Sequence, residues 1–377
     1  MRRLVFYKAI FIVCLLVCAL AISCDQEPLF WEIAHEYPPI KPRIKGAPTK
    51  IVKANSKLYI SNGARVWEYE NPTIGWKTFT PAPENRTIDL AAVNNDLYAL
   101  DDKGNIRKYD LGGTWNLLAL GDVGKIEKIF GVGNYLFAST RIGSPGTKTG
   151  YNILVIDSSD AIIGNKPDTA LLMGVVEVSG IFYLGTLGDG LYSWNGSTLT
   201  GPIPDFPDTI LGLAEASSIL YISTSRSILS WNGAGGPTQI TGTANNIYTG
   251  AIAIWKDPSP GVSEFLLLVG IKNSNTTNNY GYREIVLDSS GVPVSVSGSV
   301  LRIPGNNDTT HPTSVERSSE YISAIGKLVI NFLWVVDSSL VDSGDNETRP
   351  LIFASTAKDG LWSYKVRDGE PQWNGEY

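Results

Sequence analysis

The sequence predicts an all-β fold, and three observations support it. Charged residues make up only 18% of the 377-residue chain, and there are 38 glycines. Short apolar segments alternate with turns rich in Gly, Asn, Asp and Ser along most of its length. The stretch GLYSWNGS at 190–197 returns in weaker form as SILSWNGA at 227–234 and as GLWSYKVRDG at 360–369. Low charge with frequent turn residues is typical of β-rich proteins, and a recurring strand and turn indicates a repeat architecture.

The repeat unit is a short apolar strand, a polar turn and a second strand that carries aromatic residues. The unit occurs seven times, and its spacings are 39, 39, 46, 38, 46 and 86 residues, of which five are close to the roughly 40–50 residues of a propeller blade. The sequence therefore predicts a β-propeller of seven blades, each of four antiparallel strands. The doubled last spacing leaves an eighth blade between 290 and 345 as the alternative, but we favour a long insertion because no further unit is recognisable there. The equivalent residues are Tyr59, Tyr98, Phe137, Tyr183, Tyr221, Leu267 and Phe353.

Physical reasoning explains why the unit must repeat. The strands around these equivalent residues are apolar on both faces, as in Leu97-Tyr98-Ala99-Leu100. Such strands are buried on both sides, and a single four-stranded sheet cannot bury both of its faces. Seven sheets arranged in a ring cover one another and leave only short edges. The segment 328–337 is predicted to be a fully buried inner strand of the last blade.

The repeat resembles the blades of bacterial β-propeller lipoproteins and of kelch-like and two-component-regulator propellers. The resemblance covers residues 48–377, and it implies a propeller domain at 49–377. Two segments compete for the outer strand of the last blade: FWEIAHEYPP at 30–39 and QWNGEY at 372–377.

The N-terminus has the pattern of an export signal. Arg2, Arg3 and Lys8 precede an apolar run at 10–22, and small residues follow it. The segment 21–24 resembles the lipobox of bacterial lipoproteins, although Ala stands where that family prefers Leu. The resemblance implies removal of a signal peptide at 1–23. Two alternatives remain open: ordinary signal peptidase cleavage, and an uncleaved anchor over residues 4–23.

Cysteine usage favours the lipoprotein interpretation. Cys14 and Cys18 would leave with the signal, so Cys24 would be the one cysteine of the mature chain and its first residue. Acylation of Cys24 would remove a free thiol from an exported protein and anchor it in a membrane. Residues 24–48 are rich in proline and are predicted to be a stiff leader, part of which could form a closing strand.

Net charge restricts the possible partners. Loss of Arg2, Arg3 and Lys8 from 31 basic residues would leave 28 against 37 acidic ones, a formal net charge of −9. Nucleic acid requires a basic surface, so no nucleic-acid partner is expected. Electrostatic docking on anionic lipid is disfavoured for the same reason.

Residue types typical of catalytic or metal sites are scarce or lie in turns. No catalytic residue, metal site or cofactor is predicted. The two histidines have no second His or Cys at ligand spacing. The carboxylate clusters lie beside Gly, Pro, Asn or Ser, where such residues cap turns, and the oxygen-rich segment 342–347 lacks the full pattern of a calcium loop. Three tryptophans at repeat positions indicate packing between blades, with a carbohydrate platform as the alternative. The residues concerned are His35 and His311; Asp101 with Asp102, Asp157 with Asp160, Asp205 with Asp208, and Asp342 and Asp345 with Glu347; and Trp194, Trp231 and Trp362.

The predicted function is that of a lipid-anchored binding or scaffolding module. We expect an exported protein on the cell membrane or outer membrane, facing the periplasm or the cell surface, with a protein or carbohydrate partner. Its contact surface would be the longer loops at 140–150, 271–281, 288–313 and 338–350. A non-enzymatic role is favoured. The alternatives are a glycan-acting hydrolase with a carboxylate pair in the propeller funnel, and a sensor subunit that signals through a partner.

Overall fold

The computed structural model describes the larger part of the chain. The described residues belong to one compact unit, Lys41–Tyr377. They form 28 strands in seven four-stranded antiparallel sheets. The described ranges are 43–71, 74–110, 112–143, 150–243, 246–256, 265–274, 281–294, 301–302, 325, 328–336, 350–367 and 370–376.

The strands are assigned to blades in chain order. Blade 1 holds β1 (Val52–Ala54), β2 (Lys57–Ser61), β3 (Val66–Asn71) and β4 (Gly75–Thr78), and blade 2 holds β5 (Thr87–Val93), β6 (Asp96–Asp101), β7 (Ile106–Tyr109) and β8 (Trp115–Leu117). Blade 3 holds β9 (Lys125–Val132), β10 (Tyr135–Ile142), β11 (Gly150–Asp157) and β12 (Ile162–Thr169), and blade 4 holds β13 (Leu171–Val178), β14 (Ile181–Leu187), β15 (Leu191–Trp194) and β16 (Leu199–Thr200). Blade 5 holds β17 (Gly212–Ala216), β18 (Ile219–Ser223), β19 (Ile228–Trp231) and β20 (Thr238–Gln239). Blade 6 holds β21 (Asn246–Lys256), β22 (Phe265–Ser274), β23 (Tyr282–Leu287) and β24 (Leu301–Arg302), and blade 7 holds β25 (Ile330–Val335), β26 (Pro350–Thr356), β27 (Leu361–Arg367) and β28 (Glu370–Gly375).

Every blade has the same topology, with its first strand innermost and each later strand one place further out. The first strands of blades 1 to 7 contact one another in chain order. All seven equivalent residues predicted from the sequence fall in second strands, which confirms the seven-blade prediction. The doubled spacing arises because the first strand of blade 7 begins only at Ile330, well after β24. An insertion therefore separates blades 6 and 7, and the described residues form no eighth sheet.

Aromatic side chains fill the space between neighbouring blades. Between blades 3 and 4, the Tyr135 ring packs edge to face against two rings. Its centroid lies 5.9 Å from that of Trp194 and 5.2 Å from that of Phe182. Phe137 and Trp194 are at most 1% exposed. Burying a large apolar side chain contributes about 2–3 kcal/mol, so the inter-blade layers supply most of the stability of the ring.

The C-terminal strand supplies the outer edge of blade 7. Of the two segments predicted to compete for this place, 372–377 contributes to β28, which pairs with β27. The competing segment 30–39 lies outside the described residues. Blade 7 is thus built from one continuous part of the chain.

The ring closes where residues before β1 bind blade 7. Gly46 forms a parallel bridge with Asp359, and the backbone N–H of Leu361 donates to the carbonyl of Ile44 at 3.1 Å. The Ser355 hydroxyl donates to the carbonyl of Pro48. Hydrogen bonds and a shared apolar cluster therefore join the last blade to the first.

Buried serines on the second strands link successive blades in the same way. The Ser61 hydroxyl donates to the carbonyl of Thr87 at 2.5 Å, and the Ser139 hydroxyl accepts from the N–H of Leu172 at 3.3 Å. Each bond joins a second strand to the beginning of the next blade's first strand. A satisfied hydrogen bond of this kind contributes about 1 kcal/mol.

Candidate functional site: the central channel

A cavity of about 650 Å³ lies on the axis of the ring. Residues from the first strands of all seven blades, together with residues just before β1, line it. The cavity is therefore the central channel of the propeller. Its size is within the usual range of small-molecule sites, about 300–1,000 Å³.

One ring position of the channel can be defined in every blade. In each blade a first-strand residue pairs with the equivalent residue, as Ala91 pairs with Tyr98, and the ring position is two residues before that partner, as in Asp89. In blade 1 this residue is Lys50, which lies just before β1. All seven residues at this position line the cavity. Blades 1–3 contribute what we call the charged arc, Lys50, Asp89 and Lys128, and blades 4–7 contribute the neutral arc, Gly174, Gly212, Ile252 and Phe332.

The charged arc is organised around the carboxylate of Asp89. The ammonium of Lys50 lies 2.5 Å from Asp89 Oδ1, and the Asp89 side chain is 4% exposed. Asp89 Oδ1 also accepts from the N–H of Leu90 at 3.0 Å, and Oδ2 accepts from the N–H of Ile129 at 3.2 Å. The same Lys50 ammonium lies 4.5 Å from the centroid of the Phe130 ring, a cation–π contact. Asp89 thus links blades 1, 2 and 3, and both of its carboxylate oxygens accept hydrogen bonds from the protein.

The two lysines of the charged arc repel each other. Burial lowers the pKa of Lys50 from 10.5 to about 8, the charge of Asp89 opposes this change, and the charge of Lys128 adds to it. Among the described residues, Lys128 forms no ion pair of its own. Lys53 also lines the channel. Within the charged arc, two lysines therefore share the single carboxylate of Asp89.

The side of the channel formed by blades 4–7 has no charged side chain in the described lining and is mainly apolar, although Thr249 and Asn331 also line it. Ile252 and Phe332 are half-buried, and Trp334 lies beside them in the lining. The two glycines stand where first strands approach closely: a Cβ on Gly212 would lie 2.0 Å from the carbonyl oxygen of Gly250. The channel therefore has one polar, cationic side and one apolar side.

In two of the carboxylate clusters, a side chain caps a turn as predicted. Asp101 Oδ1 accepts from the N–H groups of Lys103 and Asn105 at 3.0 and 2.8 Å. Asp157 Oδ1 accepts from the hydroxyl and the N–H of Ser159, and this hydroxyl bond lowers the pKa of Asp157. The hydrolase hypothesis requires a pair of carboxylates in the funnel, whereas the described lining contains the single carboxylate of Asp89. No group of three or more His, Cys, Asp or Glu side chains in the described part is arranged to hold a metal ion.

The three tryptophans pack as predicted. Trp194 and Trp362 are buried in inter-blade clusters. Trp231 packs edge to face against Tyr183 at 5.4 Å, and its indole N–H donates to the carbonyl of Gly235 at 2.8 Å. Their indole faces are engaged by protein groups, which favours structure over a carbohydrate platform. The prediction that 328–337 forms a fully buried strand is wrong. In β25 only Ile330 and Leu333 are buried, Asn331 is exposed and the other residues are half-buried, because this strand lines the channel.

Several predicted features lie outside the described residues. These are Cys24, His35, His311, the segment 342–347 and most of the long loops at 140–150, 271–281, 288–313 and 338–350. Among the residues that the structure does describe, no helix is both long and apolar enough to cross a membrane. The propeller leader predicted at 24–48 is described only from residue 43.

Comparison with known proteins assigns the chain to a protein family. The model of the TP013X lipoprotein family matches residues 1–359. The chain belongs to this family. One relative, an uncharacterised lipoprotein of Treponema pallidum (strain Nichols), is 27% identical over 387 residues, which is 94% of this chain and 93% of the relative. A second lipoprotein of the same organism is 25% identical over the full length of both chains.

Solved structures show the same fold at low sequence identity. A chain of the mitotic checkpoint complex has a TM-score of 0.55 at 12% identity, covering 88% of this chain and 92% of that one. YCF48 bound to D1 peptide has a TM-score of 0.51 at 11% identity, covering 88% of this chain and 97% of that one. The TP013X family member is therefore a bacterial β-propeller lipoprotein, as the sequence predicts, and the lipoprotein family is consistent with an exported, membrane-associated protein.

Proposed function

We propose that this protein is a lipid-anchored binding module of the cell envelope that holds a protein or glycan partner at its central channel. The observation that carries the proposal is the two-sided channel, in which the charged arc faces the neutral arc at one ring position. Polar groups that fix orientation beside an apolar wall are typical of binding sites.

Cross-linking in intact cells tests this function. A photoreactive phenylalanine analogue replaces Asn331, which is exposed and lines the channel, and in a matched strain it replaces Leu117, which is 57% exposed on the outer strand of blade 2. We expect a defined cross-linked product from position 331 and none from position 117. Equal products from both positions, or none from position 331, would contradict a channel-centred binding function.

The anchor and its orientation need a separate test. Replacing Cys24 by Ala removes the predicted acylation site, so we expect the protein to move from the membrane fraction to the soluble fraction. Retention of the Cys24→Ala protein in membranes would favour the uncleaved anchor instead. Protease added to intact cells and to permeabilised cells distinguishes the two faces: digestion on intact cells means a surface-exposed partner, and protection until permeabilisation means a periplasmic one.

A further inference from the structure

The described channel lining has an excess of positive charge within an acidic protein. The whole chain has a formal net charge of −6, yet the charged arc of its channel presents two lysines, Lys50 and Lys128, with one carboxylate, Asp89. A cleft of one sign with low-dielectric walls concentrates its field and attracts the opposite charge. The channel is thus set apart electrostatically from the protein around it.

Asp89 cannot neutralise the second lysine of the charged arc. Its two oxygens already accept from Lys50 and from the N–H groups of Leu90 and Ile129. Lys128, at the same ring position in the next blade, forms no ion pair within the described part of the chain. An anion in the cavity beside Lys128 would supply the missing counter-charge and screen the repulsion between Lys128 and Lys50.

The neutral arc restricts what kind of anion fits. Ile252 and Phe332 occupy the same ring position as Lys128 on the other side of the cavity, and Trp334 lies next to Phe332. A small inorganic anion would leave this apolar wall facing water. An anion joined to an apolar group would instead bury apolar surface there, which favours binding.

We propose that the channel binds a carboxylate attached to an apolar group, with Lys128 contacting the carboxylate and Phe332 and Ile252 contacting the apolar group. This inference rests on the proposed function and names the chemistry that the channel selects. Two sources offer that chemistry: a small organic acid, and the C-terminal carboxylate of a peptide that ends in an apolar residue.

Calorimetric titration of the purified protein with two probes tests the inference. One probe is 3-phenylpropionate and the other is the peptide N-acetyl-Ala-Ala-Phe, each compared with its neutral primary amide. We expect the carboxylate form to bind at least about tenfold more tightly than the amide, because charge-assisted hydrogen bonds are about twice as strong as neutral ones. Preference for the first probe indicates a free organic acid, and preference for the second indicates a peptide terminus.

Matched variants locate the site. We expect Lys128→Gln to weaken carboxylate binding by about tenfold, and Lys128→Arg to retain most of it because the charge is kept. The control is Lys166→Gln, which removes the same charge from the outer strand of the same blade and is expected to change affinity by less than about twofold. Phe332→Ala should weaken both the acid and the amide, and thermal melts confirm that each variant is folded.

The outcomes separate this inference from the function on which it rests. Equal binding of acid and amide, absence of binding by both acids, or unchanged affinity in Lys128→Gln would overturn the carboxylate site. If cross-linking from position 331 persists in that case, the channel still binds a partner of other chemistry. If the cross-link is also absent, the channel binding function itself is wrong.

Discussion

The charged arc and the neutral arc occupy the same position in seven similar blades but differ in charge, polarity and side-chain size. The charged arc consists of Lys50, Asp89 and Lys128, and an ion pair joins the first two. The neutral arc consists of two glycines with Ile252 and Phe332. The fold cannot be the cause of this difference, because all seven first strands have the same place and pairing. The difference shows where the chain has departed from its own repeat.

The second strands, by contrast, repeat a buried serine in four of the seven blades. Ser61, Ser139, Ser223 and Ser355 stand at one position of β2, β10, β18 and β26 and are at most 1% exposed. Three of them bond to the beginning of the following blade or, at the closure, to residues before blade 1. Repetition therefore marks the scaffold, while divergence on the first strands marks the candidate site.

The largest expected effect comes from removing the centre of the charged arc. Asp89→Ala leaves the Lys50 ammonium buried without its counter-charge and removes the acceptor of two backbone N–H groups. We expect the free energy of unfolding to fall by about 3–5 kcal/mol, as for other broken buried pairs, and urea denaturation measures it.

The control for Asp89→Ala is Asp122→Ala, which removes an exposed carboxylate and should change stability by less than about 0.5 kcal/mol. The double variant Lys50→Met/Asp89→Leu removes both charges and should recover part of the loss. A cost for Asp89→Ala no greater than that of Asp122→Ala would show that the ion pair does not organise the arc.

A smaller effect is expected from the neutral arc. In Gly212→Ala the new methyl group would lie 2.0 Å from the carbonyl oxygen of Gly250. Neither can move away easily, because the backbones of residues 212 and 250 are held in the neighbouring strands β17 and β21. We expect a loss of about 2–3 kcal/mol from overpacking, measured in the same urea titration.

The matched variant is Gly236→Ala, where the nearest atom, Asp205 Cβ, lies at an ordinary 3.4 Å. It should be neutral within about 0.5 kcal/mol. If the two glycine variants are equally stable, the first strands of blades 5 and 6 do not approach as closely as the structure indicates.

The sequence predicts the scaffold well because packing between blades imposes a repeat on it. Tyr59, Tyr98 and their equivalents could be aligned by apolar pattern alone, and each falls in a second strand. The long loops could be located in the same way, from their excess length between strands.

The channel could not be predicted in this way, since its residues are defined by how they differ between blades. A usable clue was nevertheless present. Lys50 precedes Ser61 by eleven residues, and Lys128 precedes Ser139 by eleven. Counting back from the repeated serine identifies these positions, but only pairing in three dimensions shows that Asp89 stands between them and that Phe332 faces the same cavity.

The smallest expected effect is a pH dependence that originates in the charged arc. The pKa of Lys50 is about 8 in the folded protein and 10.5 when the chain is unfolded. Between these values the unfolded chain binds more protons at this residue than the folded one, so stability rises with pH; below about pH 8 both states are protonated and the contribution is constant. From about pH 7.5 to about pH 9.5 we expect a rise of about 2 kcal/mol in the free energy of unfolding.

The pH range must stop short of the titration of buried tyrosines. Burial raises the pKa of Tyr59 and Tyr98 to about 12, so these residues lower the stability above about pH 10, where unfolded tyrosines lose their protons. The measurement compares the slope of stability against pH in the wild type, in Lys50→Met and in Lys166→Met. The rise should disappear in Lys50→Met and persist in Lys166→Met, because it comes from burial of Lys50, which lowers the pKa of this residue, whereas Lys166 lies on the outer strand of blade 3. A slope that survives Lys50→Met would mean that the pH dependence originates in a group other than Lys50.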